Sequence, residues 1–122
     1  MIEKKKFKLS IIIPCFNEKS TITEILKRID QSLKNYEILN FEIIVVDDFS
    51  NDGTREVLKQ LSNKEKIQTY FHDDNLGKGA AIHTALKYIT GDIVIIQDAD
   101  LEYDPFDYNT LLVPFFETNA DI

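Results

Sequence analysis

The sequence contains a single cysteine, Cys15, in 122 residues. One thiol cannot form an internal disulfide, so a disulfide-stapled fold is excluded and a reducing compartment is allowed. Because a lone cysteine without an assigned histidine partner is weak evidence for a nucleophile, we interpret Cys15 as a small residue without redox chemistry. No stretch approaches the roughly 20 apolar residues of a membrane span, and residues 1–8 lack the apolar core of a signal peptide. We expect a cytoplasmic domain.

Basic residues are also in the minority. The 14 lysines and arginines face 21 aspartates and glutamates, which gives a formal net charge of -7. Nucleic-acid backbones are bound through lysine and arginine surfaces, and no basic cluster stands out beyond residues 4–6. We therefore expect no nucleic-acid partner and interpret residues 1–8 as an N-terminal leader. Repeats and low-complexity tracts are absent from the sequence, so residues 9–122 are expected to form one domain or part of one.

Four apolar runs rich in isoleucine and valine alternate with helical patterns, which is the rhythm of βαβ units. The runs cover residues 9–13, 41–46, 66–71 and 93–96. Because the first two lack polar alternation, they predict strands covered on both faces, as in a parallel sheet flanked by helices. Apolar residues at helical spacing predict helices that begin near residues 22, 54, 80 and 111.

Two further predictions concern the start of the first helix and the last residues of the sequence. Thr21 and Glu24 have the spacing of a capping box at the start of the first helix. The sequence stops on the apolar Ile122, where a fifth strand would be expected to begin. We therefore expect a truncated domain.

Three acids follow the fourth apolar run at alternate positions: Asp98, Asp100 and Glu102. Side chains two apart on an extended backbone point the same way, and carboxylates placed so repel one another unless a cation sits between them. Such oxygen ligands suit Mg²⁺ or Mn²⁺, which take further ligands from water and substrate phosphates. The motif predicts a metal site for a phosphate-linked substrate, although a short acidic turn after a strand is its simpler explanation.

The other distinctive residues also follow strands. In an open parallel α/β sheet, ligands bind beyond the carboxyl ends of the strands, where the strand order reverses. We therefore expect the segments 14–18, 47–53, 73–79 and 98–102 to face one crevice. Because Asp47 and Asp48 are adjacent, their side chains diverge, so that one can bind a ligand while the other orients a loop. Phe16 either offers a ring face to a base or covers the core.

Two further features have ordinary explanations. Gly77, Lys78 and Gly79 precede a helix start, which favours an anion, but Gly79 stands where a Walker loop needs Ser or Thr. We therefore prefer a tight-turn role for this segment. His72 and His83 lack metal-ligand spacing, and we interpret both as ordinary strand-end and helix residues.

Four ordered motifs resemble the family 2 glycosyltransferases with a GT-A fold. They are IIIPCFNE from Ile11, VVDDFSNDGT from Val45, NLGKGAA from Asn75 and DADLE from Asp98. The likeness covers nearly the whole chain from about Leu9 onward and looks most like the dolichyl-phosphate mannosyltransferase and undecaprenyl-phosphate glycosyltransferase branch. It implies a Rossmann-like α/β fold with a mostly parallel sheet and flanking helices, truncated after the nucleotide-binding half.

The resemblance also implies roles for individual residues. The residues implied to bind the nucleotide are Pro14, Phe16, Glu18, Val46, Asp48, Asp98, Ala99 and Asp100. Asp98 and Asp100 would also be the catalytic residues. The ligands of Mg²⁺ or Mn²⁺ would be Asp98, Asp100 and Glu102. The chain departs from the family at two of these positions. Glu102 stands where the lipid-phosphate branch commonly has Gln, and Phe16 replaces a more usual Tyr, which keeps the ring and loses a hydroxyl.

The implied reaction moves a sugar from a nucleoside diphosphate sugar, linked to UDP or GDP, to an acceptor. The expected acceptor is a polyprenyl phosphate, and the expected process is cell-envelope glycan synthesis. The longer gene product is expected at the cytoplasmic face of a membrane. Homo-oligomer formation is a further expectation. Two alternatives stay open: a nucleotide-sugar-binding fragment without turnover, and a two-component receiver domain, which shares an acidic pair but places it after its first strand.

Overall fold

The computed structural model describes residues 7–62 and 66–99, which form a four-stranded parallel sheet with helices on both faces. The strands are β1 (Leu9–Cys15), β2 (Phe41–Asp47), β3 (Ile67–Phe71) and β4 (Ile93–Ile96). The helices are α1 (Ile22–Asn35), α2 (Thr54–Leu61) and α3 (Lys78–Leu86). These elements confirm the predicted α/β class. The helix predicted to begin near residue 111, the fifth strand predicted near Ile122 and the predicted N-terminal leader up to residue 6 lie outside the described residues.

The order of the strands in the sheet is β3-β2-β1-β4, and every neighbouring pair is parallel. The chain moves from β1 outward to β2 and β3, and then crosses to β4 on the other side of β1. Leu9 accordingly pairs with Phe41 along one edge and with Ile93 along the other. The strand order reverses between β1 and β4, so the carboxyl ends of these two strands are where a ligand is expected.

The alternation of side chains along β1 and β2 divides the core between the two faces of the sheet. One face packs against α1 and α2 through Leu9, Ile11, Ile13, Ile22, Ile25, Ile29, Leu33 and Leu58. The other packs against α3 through Ile12, Ile44, Val46, Ala81 and Ala85. Because Ala81 and Ala85 are small, fully buried and one turn apart, they allow α3 to lie close to β1 and β2. None of the helices in the described ranges has the length and apolarity needed to cross a membrane.

Thr21 does not form the predicted capping box, and that prediction was wrong. Its hydroxyl makes no cap hydrogen bond to α1, and Thr21 Oγ1 instead lies 3.0 Å from both Glu18 Oε1 and Ala99 O. Glu24 pairs with Arg28 at 3.1 Å. A capping hydroxyl accepts a hydrogen bond from a backbone N–H of the first turn, whereas the Thr21 hydroxyl is engaged as a donor to the oxygens of Glu18 and Ala99 and accepts none from α1.

A buried carboxylate ties the amino ends of the strands together. Glu42 is 4% exposed and accepts hydrogen bonds from Ser10 Oγ at 2.7 Å, from the Thr90 N–H at 2.6 Å and from Thr90 Oγ1 at 3.1 Å. Burial raises the pKa of Glu42, but these hydrogen bonds and the nearby Lys8 ammonium outweigh burial and hold the pKa below its ordinary value. This cluster lies at the edge of the sheet opposite to the strand ends where a ligand is expected.

Candidate functional site

The carboxyl ends of the strands surround a cavity of about 330 Å³. Its lining comes from all four strand-end motifs: Pro14, Cys15, Phe16, Glu18, Asp48, Asn75, Gly77, Lys78, Ala81, Asp98 and Ala99. The structure thus brings described residues of all four segments to one crevice, as predicted, and residues 100–102 of the fourth lie outside the described residues. A larger groove of about 790 Å³ lies between α1, α2 and the first residues of β2 and β3. Because ligands of parallel α/β sheets bind at the carboxyl ends of the strands, the smaller cavity is the candidate site.

Asp48 is a heavily hydrogen-bonded acid in the wall of this cavity. Its nearly buried carboxylate contacts His72 Nδ1 at 2.8 Å and accepts from the Leu76 N–H at 2.9 Å and the Gly77 N–H at 2.8 Å. Burial raises the pKa of Asp48, but these three hydrogen bonds outweigh burial, so the pKa lies below its ordinary value. Asp48 is therefore ionised at neutral pH and acts as an acceptor in the cavity wall.

Asp47 is fully buried and lies outside the lining of the cavity. It accepts hydrogen bonds from the Ser50 N–H at 2.9 Å and from the Ser50 hydroxyl, and Arg55 Nε lies 3.6 Å from its Oδ2. Ser50 Oγ in turn accepts a hydrogen bond from the Asn17 N–H at 2.8 Å. Asp47 thus fixes the loop after β2 against the loop after β1, whereas Asp48 faces the cavity.

Asp98 has a cationic partner at the start of α3. Lys78 Nζ lies 2.6 Å from Asp98 Oδ1, which joins the third motif to the fourth. Gly77, just before the helix, has φ of 102°, a turn conformation that favours glycine. The tight-turn interpretation therefore describes Gly77, but it leaves out the role of Lys78 as a cation in the cavity wall.

The predicted metal site is described only in part. Of its three acids, Asp98 lies within the described residues, and Asp100 and Glu102 lie outside them. In residues 7–62 and 66–99, no three His, Cys, Asp or Glu side chains come together so that they could hold a metal ion. The Lys78 ammonium lies beside Asp98, and its positive charge balances the negative charge of this carboxylate. Binding of Mg²⁺ or Mn²⁺ stays a prediction.

The remaining residues expected to bind the nucleotide divide into two groups. Pro14, Phe16, Glu18 and Ala99 all line the cavity. The Phe16 side chain is 44% exposed, so its ring is open to a ligand rather than enclosed in the core. Val46 is fully buried in the cluster beneath α3 and is not brought to the cavity wall.

The cysteine in the cavity wall is not a reactive thiol. Cys15 is 3% exposed, and burial raises the pKa of its thiol far above the ordinary value, with further contributions from the carboxylates of Asp47 and Glu18. A thiol with a raised pKa carries little thiolate and is a poor nucleophile. This agrees with the interpretation of Cys15 as a residue without redox chemistry.

Sequence reasoning missed His72, which holds Asp48 on one side and contacts Thr84 Oγ1 on the other, at 2.8 Å in both cases. The signal that could have found it is the register of two strands. Asp47 pairs with Phe71 in the parallel ladder between β2 and β3, so residues 48 and 72 follow as neighbours. That register depends on which strands are adjacent, which no local pattern gives.

Comparison with known proteins assigns the chain to a family. A sequence model described as "Glycosyl transferase family 2" matches residues 10–122. The chain therefore belongs to glycosyl transferase family 2, which confirms the family predicted from the four motifs. The receiver-domain alternative is set aside, because the acidic pair follows the second strand and the family match includes residues of all four strands from residue 10 onward.

Two curated relatives and one solved structure illustrate the match. The chain is 38% identical over 98 residues to a dolichol-phosphate mannosyltransferase from Pyrococcus furiosus, covering 80% of this chain and 27% of that protein. It is 37% identical over 101 residues to an undecaprenyl-phosphate 4-deoxy-4-formamido-L-arabinose transferase from Pseudomonas savastanoi pv. phaseolicola, covering 80% and 29%. The mannosyltransferase PcManGT from Pyrobaculum calidifontis, solved in complex with GDP-Man and Mn²⁺, matches with a TM-score of 0.68 at 31% identity, covering 79% of this chain and 29% of that one. The chain thus spans less than a third of each of these proteins.

Proposed function

We propose that the protein is a glycosyltransferase that binds a nucleoside diphosphate sugar in the cavity and transfers the sugar to a polyprenyl phosphate. The observation that carries the proposal is the meeting of all four family motifs in one cavity where the strand order reverses. Its volume of about 330 Å³ falls in the range of small-molecule sites. The acceptor class is supported by the two curated relatives, whose names contain dolichol phosphate and undecaprenyl phosphate.

The nucleoside part of the donor is proposed to bind between Phe16 and Asp48. The exposed ring of Phe16 offers a face on which a base can stack. The ionised Asp48 offers an acceptor for a base N–H or a ribose hydroxyl. Pro14 and Glu18 line the same cavity and complete this part of the site. Val46, buried in the core, would support the end of β2 rather than touch the ligand.

The diphosphate is proposed to bind at the start of α3 and the end of β4. The backbone N–H groups at the start of a helix favour an anion, and Lys78 adds a positive charge at that position. Asp98, Ala99 and Asp100 are proposed to face the diphosphate, with Asp98, Asp100 and Glu102 as ligands of Mg²⁺ or Mn²⁺. Such a metal, when bound, offsets the negative charge that develops on the leaving diphosphate.

The transfer requires little proton chemistry from the protein. An ionised phosphate oxygen of the acceptor attacks the anomeric carbon of the sugar and forms a new C–O bond. The C–O bond to the diphosphate breaks at the same carbon, and the diphosphate leaves with the electron pair. Because the attacking oxygen is already ionised, a general base is not needed, and the residues of the cavity contribute orientation and charge.

A transfer assay tests the proposal. The full-length protein is incubated with radiolabelled UDP-sugars or GDP-sugars, Mg²⁺ or Mn²⁺, and a polyprenyl phosphate, and the label in the lipid phase is counted. We expect transfer from one class of donor, a strong loss in Asp48→Ala, and an unchanged rate in Asp73→Ala, whose exposed side chain lies outside the cavity lining. Binding of nucleotide without transfer to any acceptor would favour the non-catalytic alternative, and the absence of both would contradict the proposal.

A further inference from the structure

His72 is a buried histidine with partners on both ring nitrogens. Nδ1 lies 2.8 Å from Asp48 Oδ1, and Nε2 lies 2.8 Å from Thr84 Oγ1. The side chain is 9% exposed, and the backbone N–H donates to Asp47 O at 2.9 Å. Residue 72 follows β3 directly and Thr84 lies on α3, so the imidazole is anchored between the sheet and a helix.

The protonation pattern of the ring follows from its partners. An ionised carboxylate can only accept, so Nδ1 carries the hydrogen shared with Asp48. In the neutral ring Nε2 accepts the hydrogen of the Thr84 hydroxyl, and in the charged ring Nε2–H donates to the Thr84 oxygen. A hydroxyl can rotate to serve either arrangement. The orientation of His72 is therefore fixed in both of its charge states.

The hydrogen bonds of Asp48 leave one acceptor position open. A carboxylate has about four lone-pair sites. Within the described residues, Oδ1 is occupied by His72 and Leu76, whereas Oδ2 is occupied by Gly77 alone. The open position therefore belongs to Oδ2, and Asp48 is part of the cavity wall.

We propose that His72, supported by Thr84, is a positioning residue that holds the Asp48 carboxylate so that Oδ2 presents this acceptor position to the nucleoside part of the donor. The inference rests on the proposed function, in which the cavity binds a nucleoside diphosphate sugar. The N–H donors of Leu76 and Gly77 belong to the segment that leads into α3, whereas the His72 backbone is hydrogen-bonded to Asp47 at the end of β2 and its ring contacts Thr84 of α3. His72 is thus the donor that fixes the carboxylate relative to the sheet.

Substitution by asparagine and by glutamine separates the two ring nitrogens. Asparagine places an amide N–H near the position of Nδ1 and keeps the donor to Asp48, whereas glutamine places its amide near the position of Nε2 and loses that donor. In calorimetric titrations of UDP and GDP into the full-length protein, we expect about tenfold weaker binding for His72→Gln. His72→Asn should stay within about threefold of the unsubstituted protein. His83→Gln, which changes the exposed histidine of α3, is the matched control and should leave the affinity unchanged.

A double-mutant cycle distinguishes this positioning role from a purely structural one, because only the positioning role makes the effect of His72→Gln on nucleotide affinity depend on the Asp48 carboxylate. In an Asp48→Ala background the carboxylate is gone, so His72→Gln should change the nucleotide affinity by less than about twofold. Equal affinities of the Gln and Asn variants, or the same tenfold loss in the Asp48→Ala background, would overturn the inference. If His72→Gln does not fold, Thr84→Val decides: we expect about threefold weaker binding, and an unchanged affinity overturns the inference. An unsubstituted protein that binds neither UDP nor GDP would instead contradict the proposed function, and the inference would fall with it.

Discussion

Lys78 Nζ lies 2.6 Å from Asp98 Oδ1, so the first residue of α3 and a residue just beyond β4 neutralise each other in the cavity wall. The side chains are 59% and 29% exposed, and pairs this open to solvent contribute about 0–1 kcal/mol to folding. Stability is therefore a poor explanation for the pair. We interpret the pair instead as part of the proposed diphosphate site, because a lysine at the start of a helix adds to the positive charge that binds phosphate groups there.

Lys78→Met removes the positive charge and keeps much of the side-chain length. We expect about tenfold weaker binding of UDP or GDP, with a change in unfolding free energy below about 1 kcal/mol. Calorimetry and urea denaturation measure the two quantities. Lys87→Met is the matched control, because Lys87 is an exposed lysine at the opposite end of α3. Equal nucleotide affinities of the two variants would show that Lys78 does not contact the diphosphate.

The two adjacent acids after β2 should separate in their effects. Asp48→Ala should weaken UDP or GDP binding by about 1–3 kcal/mol, because a ligand donor would be left without its buried partner. Asp47→Ala should instead lower the unfolding free energy by about 1–3 kcal/mol, because it leaves the Ser50 N–H without its buried acceptor and Arg55 without its ion-pair partner. The reverse pattern, with lost affinity at unchanged stability in Asp47→Ala, would exchange the two roles.

The buried Glu42 should make stability depend on pH in the acid range. Its pKa is lower in the folded state than in the unfolded chain, so its contribution is fully present above the ordinary carboxyl pKa of 4.5 and is lost as the pH falls through the folded-state value. Urea denaturation at several pH values measures this slope. Glu42→Gln should be less stable at neutral pH and should flatten the slope below about pH 4.5. A variant with the slope of the unsubstituted protein would assign the acid sensitivity to other carboxylates.

Two glycines should respond to alanine in opposite directions. A Cβ added at Gly91 would lie 2.8 Å from Lys8 O and 2.9 Å from Ser10 N, both backbone atoms, so Gly91→Ala should cost about 1–3 kcal/mol. At Gly79 in α3, an added Cβ would meet no atom of the described residues within 4 Å, apart from its two chain neighbours and the backbone of its own helix. Gly79→Ala should therefore stabilise by about 0.5–1 kcal/mol through helix propensity. Thermal unfolding of the two variants checks both signs.

The strands could be predicted from the sequence because their signal is local. Residues 93–96 match β4 as predicted, and β1 and β2 begin where their apolar runs begin. The predicted end of β1 at residue 13 was two residues short of the observed end at Cys15. Pro14 stays in the parallel ladder opposite Val46. A proline at the end of a strand loses one donor without breaking the pairing of the residues before it.

The contacts that hold the site together could not be predicted in the same way. His72 reaches Asp48 across 24 positions in the sequence, and Thr21 reaches Ala99 across 78. Both contacts depend on which strands are neighbours and in what register, and periodicity carries no such information. Sequence patterns therefore indicated the strand ends that line the cavity, and the family resemblance singled out Asp48, but neither indicated the side chains that orient it.

The most direct test of the account is calorimetric titration of UDP and GDP, with and without Mn²⁺, into the full-length protein and its Asp98→Asn and Asp100→Ala variants. We predict that the unsubstituted protein binds one of the two nucleotides, that Mn²⁺ strengthens this binding at least about tenfold, and that both variants lose the effect of Mn²⁺. Binding of neither nucleotide, or the same Mn²⁺-dependent affinity in all three proteins, would contradict the assignment of the cavity as a metal-assisted nucleotide-sugar site.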